Sequence, residues 1–209
     1  MDTAFWLVVL IVSVILHEVA HGYMANWLGD PTARLQGRLT LNPISHLDPV
    51  GSVLLPLILS ITGSPFLIGY AKPVPYNPYN LPGKYDETLV AAAGPGTNIV
   101  LAVLFGLIIR FGAAAISPTM LHAFTVIVLV NMVLAIFNLI PIPPLDGSKI
   151  LSGILPGALS EGYDLFRSNF ERLGVLSGTL LILVVYIFLA PYSQAFITWL
   201  YILLTGAAI

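Results

Sequence analysis

Phe5-Trp6-Leu7-Val8-Val9-Leu10-Ile11-Val12-Ser13-Val14-Ile15-Leu16-His17-Glu18-Val19-Ala20-His21 is an apolar run that closes on three titratable side chains. The apolar segment spans about residues 4 to 28, near the roughly 20 residues that cross a hydrocarbon core. Ionisable groups in such a segment are expensive to bury in lipid, and they point to function rather than packing. Positions i and i+4 of a helix lie about 40° apart around its axis, so His17 and His21 face one way and offer two nitrogen ligands to one zinc. Glu18, about 100° round from His17, reaches a water beside such a metal without being a ligand, the general-base position of a metalloprotease. A chance HExxH match in this composition is on the order of one in a thousand. Asp2 stands where a secretory signal would carry Lys or Arg, and no small-residue cleavage site follows promptly, so the segment is expected to be retained.

Outward from this run, the 209-residue chain is 57% apolar and only 9% charged, against about 25% charged in soluble domains, which excludes a soluble monomer. The mean hydropathy of +0.93 agrees. Eight basic residues without a cluster offer no phosphate-tracking surface, so nucleic acid is excluded as a partner. Zero cysteines exclude disulfides, thiolate nucleophiles and Cys-ligated metal. Further apolar runs lie near 50 to 69, 88 to 110, 121 to 140, 174 to 190 and 194 to 209. The polar stretches between them are too short for a separate soluble domain, so 1–209 is expected to be a single membrane-embedded domain. Ala33 to Leu41 alternates polar and apolar residues and predicts a half-buried strand. Gly69 to Pro78 is dense in proline and predicts an extended segment.

A catalytic zinc wants a third protein ligand and an open position. His46, His122, Asp48, Asp86, Asp146, Glu161 and Asp164 are the main choices. Asp146 stands out as a carboxylate among apolar residues just past a long apolar run, although an Asp-Gly turn would explain it too. Charge arithmetic favours it as the ligand: Zn²⁺, two carboxylates and two neutral imidazoles sum to zero, which a membrane tolerates. Beside Pro43 and Pro49, His46 and Asp48 read as loop residues, and Asn131 as a helix-packing amide.

HEVAH, GRLTLNPISHLDPVG, GYAKPVPYNPYN, AAAGPGTN and NLIPIPPLDG, in this order, resemble the prokaryotic site-2 proteases, zinc metalloproteases that cut peptide bonds within membranes. The resemblance covers residues 14 to 151. It implies one Zn²⁺ per chain held by His17, His21 and Asp146, Glu18 as catalytic acid/base, and Asn138 as a substrate-binding or oxyanion residue. It implies a similar place for Asn98. Larger relatives carry PDZ or CBS domains that the sequence lacks, so a minimal form is expected, with a regulatory partner left unidentified.

If His17, His21 and Asp146 meet at one metal, segments 4 to 28 and 121 to 140 carry ligands at the same end and run parallel. An odd number of crossings then separates them. The segment 50 to 69, broken by Pro56, Gly63 and Pro65, is the one expected to re-enter or lie shallow. This arrangement puts Arg34, Arg38, Lys72, Lys84, Lys149, Arg167 and Arg172 on one face and only Arg110 on the other, a positive-inside bias. The expectation is an all-α polytopic membrane protein with about five spanning helices, one re-entrant segment and a short membrane-associated β element. The active site would face the cytoplasm in a prokaryotic membrane. Its partners would be the bilayer and a transmembrane substrate that unwinds near Glu18 and pairs with the strand at 33 to 41. A metal transporter would instead spread donors along a route across the bilayer, and a noncatalytic scaffold would not need Glu18.

Overall fold

The computed structural model describes residues 3–54, 61, 71–172, 192 and 194–206. Its helices are α1 (Thr3–Trp27), α2 (Thr32–Leu35), α3 (Asp86–Gly112), α4 (Pro118–Asn138), α5 (Asp146–Ile154), α6 (Gly157–Arg172) and α7 (Gln194–Thr205). Three of them, α1, α3 and α4, are long and apolar enough to cross a membrane. The 25 residues of α1 rise about 37 Å, more than the roughly 30 Å of a hydrocarbon core. Leu7, Val8, Ile11 and Val12 of α1 are half exposed, the pattern of a helix whose outer face meets lipid. Sequence cues mark the ends: Ser117 accepts from the Met120 N–H and Pro118 opens α4.

Contacts between these helices give their directions. Val9 packs with Val126 and Val130, and Ser13 is hydrogen-bonded to Asn131. Further along, His17 meets Asp146, just beyond the end of α4. Numbers rise together, so α1 and α4 run parallel, as the ligand argument requires. Helix α3 runs against both, because His21 reaches Val90, His17 reaches Asn98, and Phe105 stacks on Phe124. Ala102 and Ile109 of α3, Val128 and Met132 of α4 and Tyr201 of α7 form one buried cluster.

One expectation needs revision, and a second is met in part. No strand occurs among the described residues, and Ala33 to Leu41 folds as the end of α2 followed by turns. The physical cause is local hydrogen bonding. The Asp30 carboxylate accepts from the Thr32 N–H at 3.1 Å and from its hydroxyl, an Asx turn that leads through Pro31 into α2. Gly37, at φ +65°, stops it: the Arg38 N–H returns to Ala33 O at 2.9 Å and the Gly37 N–H to Arg34 O at 3.0 Å, a Schellman closure. Over so few residues these local bonds outweigh the period-2 pattern. The count of about five crossings is met in part: the described residues hold three long apolar helices and the shorter apolar helix α7. Most of the segment 50 to 69, beyond a π-helical turn at Pro49–Leu54, and the run 174 to 190 lie outside the described residues. The proline-dense segment is irregular over 71–77, as expected, and ends in a 3-10 turn at Pro78–Asn80.

Candidate metal centre and active site

One helical turn of α1 brings His17 and His21 to the same side, and the first turn of α5 brings Asp146 against them. The Nε2 atoms of the histidines are 3.1 Å apart, and Asp146 Oδ2 lies 3.1 Å from His17 Nε2 and 3.3 Å from His21 Nε2. No other group of three or more His, Cys, Asp or Glu among the described residues converges in this way. The loop after α4 spans the distance between Asn138 and Asp146 in a series of tight turns, and the α5 N-terminus that follows favours a carboxylate.

The far nitrogen of each ring shows what the near one offers. His17 Nδ1 donates to Asn98 Oδ1 at 2.6 Å, and His21 Nδ1 donates to the Val90 carbonyl at 2.7 Å. Both partners are acceptors, so in each neutral imidazole the proton sits on Nδ1 and the Nε2 lone pair points into the centre. Three acceptors then face one another at 3.1–3.3 Å, an arrangement that repels unless a cation lies among them. Tetrahedral zinc with bonds of about 2.0–2.1 Å sets its ligand atoms about 3.3 Å apart, which these edges match. Each ring also has the outer hydrogen bond that orients histidine ligands. The residues fit a zinc ion.

The centre opens into a cavity of about 180 Å³ whose lining includes Glu18, Val74, Tyr76, Asn138 and Lys149. Glu18 Oε2 accepts from the Val74 N–H at 2.9 Å, which leaves Oε1 for proton transfer. Asn138 Nδ2 donates one hydrogen to Leu134 O at 2.9 Å, so its second N–H remains for a ligand in the cavity. Asn98 takes a different place from the one its resemblance suggests. Fully buried, it sits behind His17 rather than in the cavity, because its amide is engaged by His17 and Asn131. His46 is buried in the 3-10 turn Pro43–His46, with Nε2 donating to Thr40 O at 2.8 Å, away from the metal centre.

Several participants escaped the sequence reading. A strap of chain, 72–80, forms one wall of the cavity and is pinned at both ends. The Arg38 guanidinium donates to Lys72 O at 2.9 Å and Pro73 O at 3.2 Å. Asp30 accepts from the Asn77 N–H at 2.6 Å and from Asn80 Nδ2 at 2.8 Å. Asp30-Pro31-Thr32 carries an Asx-turn signature, but nothing local links it to residues 47 to 50 positions away. Lys149, one turn past Asp146 on α5, rests its amine 5.0 Å above the Tyr76 ring and so ties α5 to the strap. Gly94 lies directly against the histidines: a Cβ there would stand 2.6 Å from His17 Nε2 and closer still to His21 Nε2.

Comparison with known proteins gives the family. Residues 107–185 match the family model described as Peptidase family M50. YwhC of Bacillus subtilis (strain 168) is 40% identical over 161 residues, covering 73% of this chain and 69% of that protein. Rip2 of Mycolicibacterium smegmatis is 32% identical over 138 residues, 66% of this chain and 52% of that protein. MJ0392 of Methanocaldococcus jannaschii is 27% identical over 172 residues, 80% of this chain and 39% of that protein. The first two bear the name "Putative zinc metalloprotease" and the third "Zinc metalloprotease". The chain thus spans about two thirds of YwhC and about half of Rip2. No solved structure matches the chain.

Proposed function

Since the chain belongs to peptidase family M50, the site-2 proteases, and is an integral membrane zinc metalloprotease, we propose that it is an intramembrane endopeptidase acting on transmembrane segments of other proteins. The observation that carries this is the centre itself, two imidazoles within a long apolar helix converging with a carboxylate in the first turn of α5, shortly after a second long apolar helix. His17, His21 and Asp146 hold the zinc, which supplies the Lewis acidity that peptide hydrolysis needs near neutral pH. Glu18 takes the proton of the attacking water on its free oxygen and delivers it to the leaving amine nitrogen. Val74 holds the other oxygen still, so the carboxylate does not have to reorient. The second N–H of Asn138 steadies the oxygen of the scissile carbonyl as charge develops there.

A substrate helix has its backbone groups paired internally, and exposing them in lipid costs several kcal/mol each. The substrate therefore unwinds where the cavity lining is polar, at the end of the bundle that holds Glu18 and Lys149. Arg34, Arg38, Lys72, Lys84 and Lys149 lie toward this end, whereas Arg110, in the last turn of α3, donates to Leu203 O at 2.7 Å at the other. That asymmetry supports a centre on the cytoplasmic side of a prokaryotic membrane. Residues 1–209 act as one membrane-embedded protease domain.

The test is cleavage of a model transmembrane peptide by purified, zinc-loaded protein in detergent or bilayers. Glu18→Gln should keep the zinc and abolish cleavage, whereas Asp146→Ala should lose both. Cleavage by zinc-loaded Glu18→Gln at the wild-type rate would remove Glu18 from the chemistry, and full zinc occupancy in Asp146→Ala would require another third ligand.

A further inference from the structure

His17 and His21 present their Nε2 atoms alike, but their outer partners differ. His21 rests directly on a main-chain carbonyl, Val90 O, which can only accept. His17 rests on an amide, Asn98, which offers an acceptor or a donor according to how it is turned. Something else has to settle that choice.

Asn98 and Asn131 are both fully buried. Asn98 Nδ2 donates to Asn131 Oδ1 at 2.8 Å, and Asn131 Nδ2 donates to Ile127 O at 2.9 Å and to Ser13 Oγ at 3.0 Å. A carbonyl cannot donate, so the Asn131 atom beside Ile127 O must be the nitrogen. Its oxygen then faces Asn98, which must answer with its own nitrogen, and Asn98 Oδ1 is left facing His17 Nδ1. An acceptor there requires a proton on Nδ1, and the lone pair falls to Nε2. We propose that Asn131 is a positioning residue for the metal site: through Asn98 it transmits the polarity of the Ile127 carbonyl to His17 and keeps the Nε2 lone pair available to the zinc.

The chain crosses all three long helices, from Ile127 and Asn131 on α4 through Asn98 on α3 to His17 on α1. His17, Asn98, Asn131 and Ser13 are all buried, where little water competes to reverse an amide. Ser13 closes the network without directing it, because a hydroxyl can donate or accept. This separates direction from mere packing: Asn131 and Ser13 each supply a buried hydrogen bond, but only Asn131 fixes the sense of the relay.

This inference rests on zinc binding by His17 under the proposed function, and the test keeps the two apart. Zinc affinity is measured by competition with a chromophoric chelator for wild type, Asn131→Leu and Ser13→Ala. Asn131→Leu fills the space but frees the Asn98 amide to turn, and it should bind zinc about 10- to 100-fold more weakly, whereas Ser13→Ala should stay within about threefold of wild type. Wild-type affinity in folded Asn131→Leu, or an equal loss in Ser13→Ala, overturns the proposal. A second measurement needs no relay variant: in metal-free wild type labelled with ¹⁵N-histidine, the His17 ring, assigned by its loss in His17→Gln, should carry its proton on Nδ1. A dominant Nε2–H form overturns the proposal even if Asn131→Leu does not fold. A wild-type protein that holds no zinc refutes the metalloprotease reading instead, while the tautomer result still decides the relay.

Discussion

Gly94→Ala adds a single methyl group at the place where α3 comes closest to the metal centre. The new carbon would stand 2.6 Å from His17 Nε2, and nearer to His21 Nε2. Comfortable contact for such atoms is about 3.5 Å or more, so the His17 ring, or the helix that carries it, has to give by about 0.9 Å and the His21 ring by more. The rings have little freedom, because His17 Nδ1 is held by Asn98 and His21 Nδ1 by Val90, both on α3 itself. Overpacking of this kind costs about 1–3 kcal/mol. If that strain is relieved by moving the imidazoles off their zinc-binding geometry, affinity falls by about 5- to 150-fold. Chelator competition reads the loss, and Gly96→Ala is the internal control. It makes the same change two residues further along the same helix, where an added Cβ meets nothing within 4 Å. That variant should bind zinc like wild type and gain a few tenths to about 1 kcal/mol of helix stability. Unchanged zinc affinity in Gly94→Ala, or an equal loss in Gly96→Ala, would refute the close approach of α3 to the ligands.

Asn138→Ala should keep its zinc but turn over substrate roughly 10²-fold more slowly, as when an oxyanion donor is removed; loss of the metal would make the residue structural instead. Cysteines replacing Tyr79, which is 97% exposed, and Ser168 should react with a membrane-impermeant reagent from the cytoplasmic side, and one replacing Ser117 from the opposite side. Labelling of Tyr79→Cys and Ser117→Cys from the same side would contradict the direction of α4. Asp30 is raised by burial, but hydrogen bonds from Asn80, Thr32 and the Asn77 N–H outweigh this and leave it below the ordinary carboxylate range. Its stabilising effect is therefore complete above that range and disappears as pH falls through the depressed folded-state value. Asp30→Asn should lower Tm at pH 7 and flatten the acid limb below about pH 4, measured by thermal unfolding; a parallel acid limb in both proteins would clear Asp30 of that role.

What could be read without coordinates was what depends on near neighbours. An i, i+4 pair of histidines with glutamate beside the first is helix geometry, and an apolar run decides by its length whether it can cross a bilayer, so α1, α3, α4 and the facing of the two histidines to one side were legible directly. Asp146 was legible through charge balance and through family resemblance, because 125 residues separate it from His21 and no local period connects them. The misread stretch, Ala33 to Leu41, shows the limit of pattern: alternation over so short a span fits a strand on either side of Gly37, and the bonds made by Asp30 and Gly37 decided otherwise. Tertiary structure alone brought Val74 to Glu18, Arg38 and Asp30 to the strap, Gly94 to the imidazoles, and Asn131 to Asn98. Each of these is a contact between segments that are distant in the chain, made by residue types common in loops and membrane helices. Their meaning comes from the atom they face: an amide is a packing group until a carbonyl four residues earlier and a histidine on another helix together fix which way it must turn.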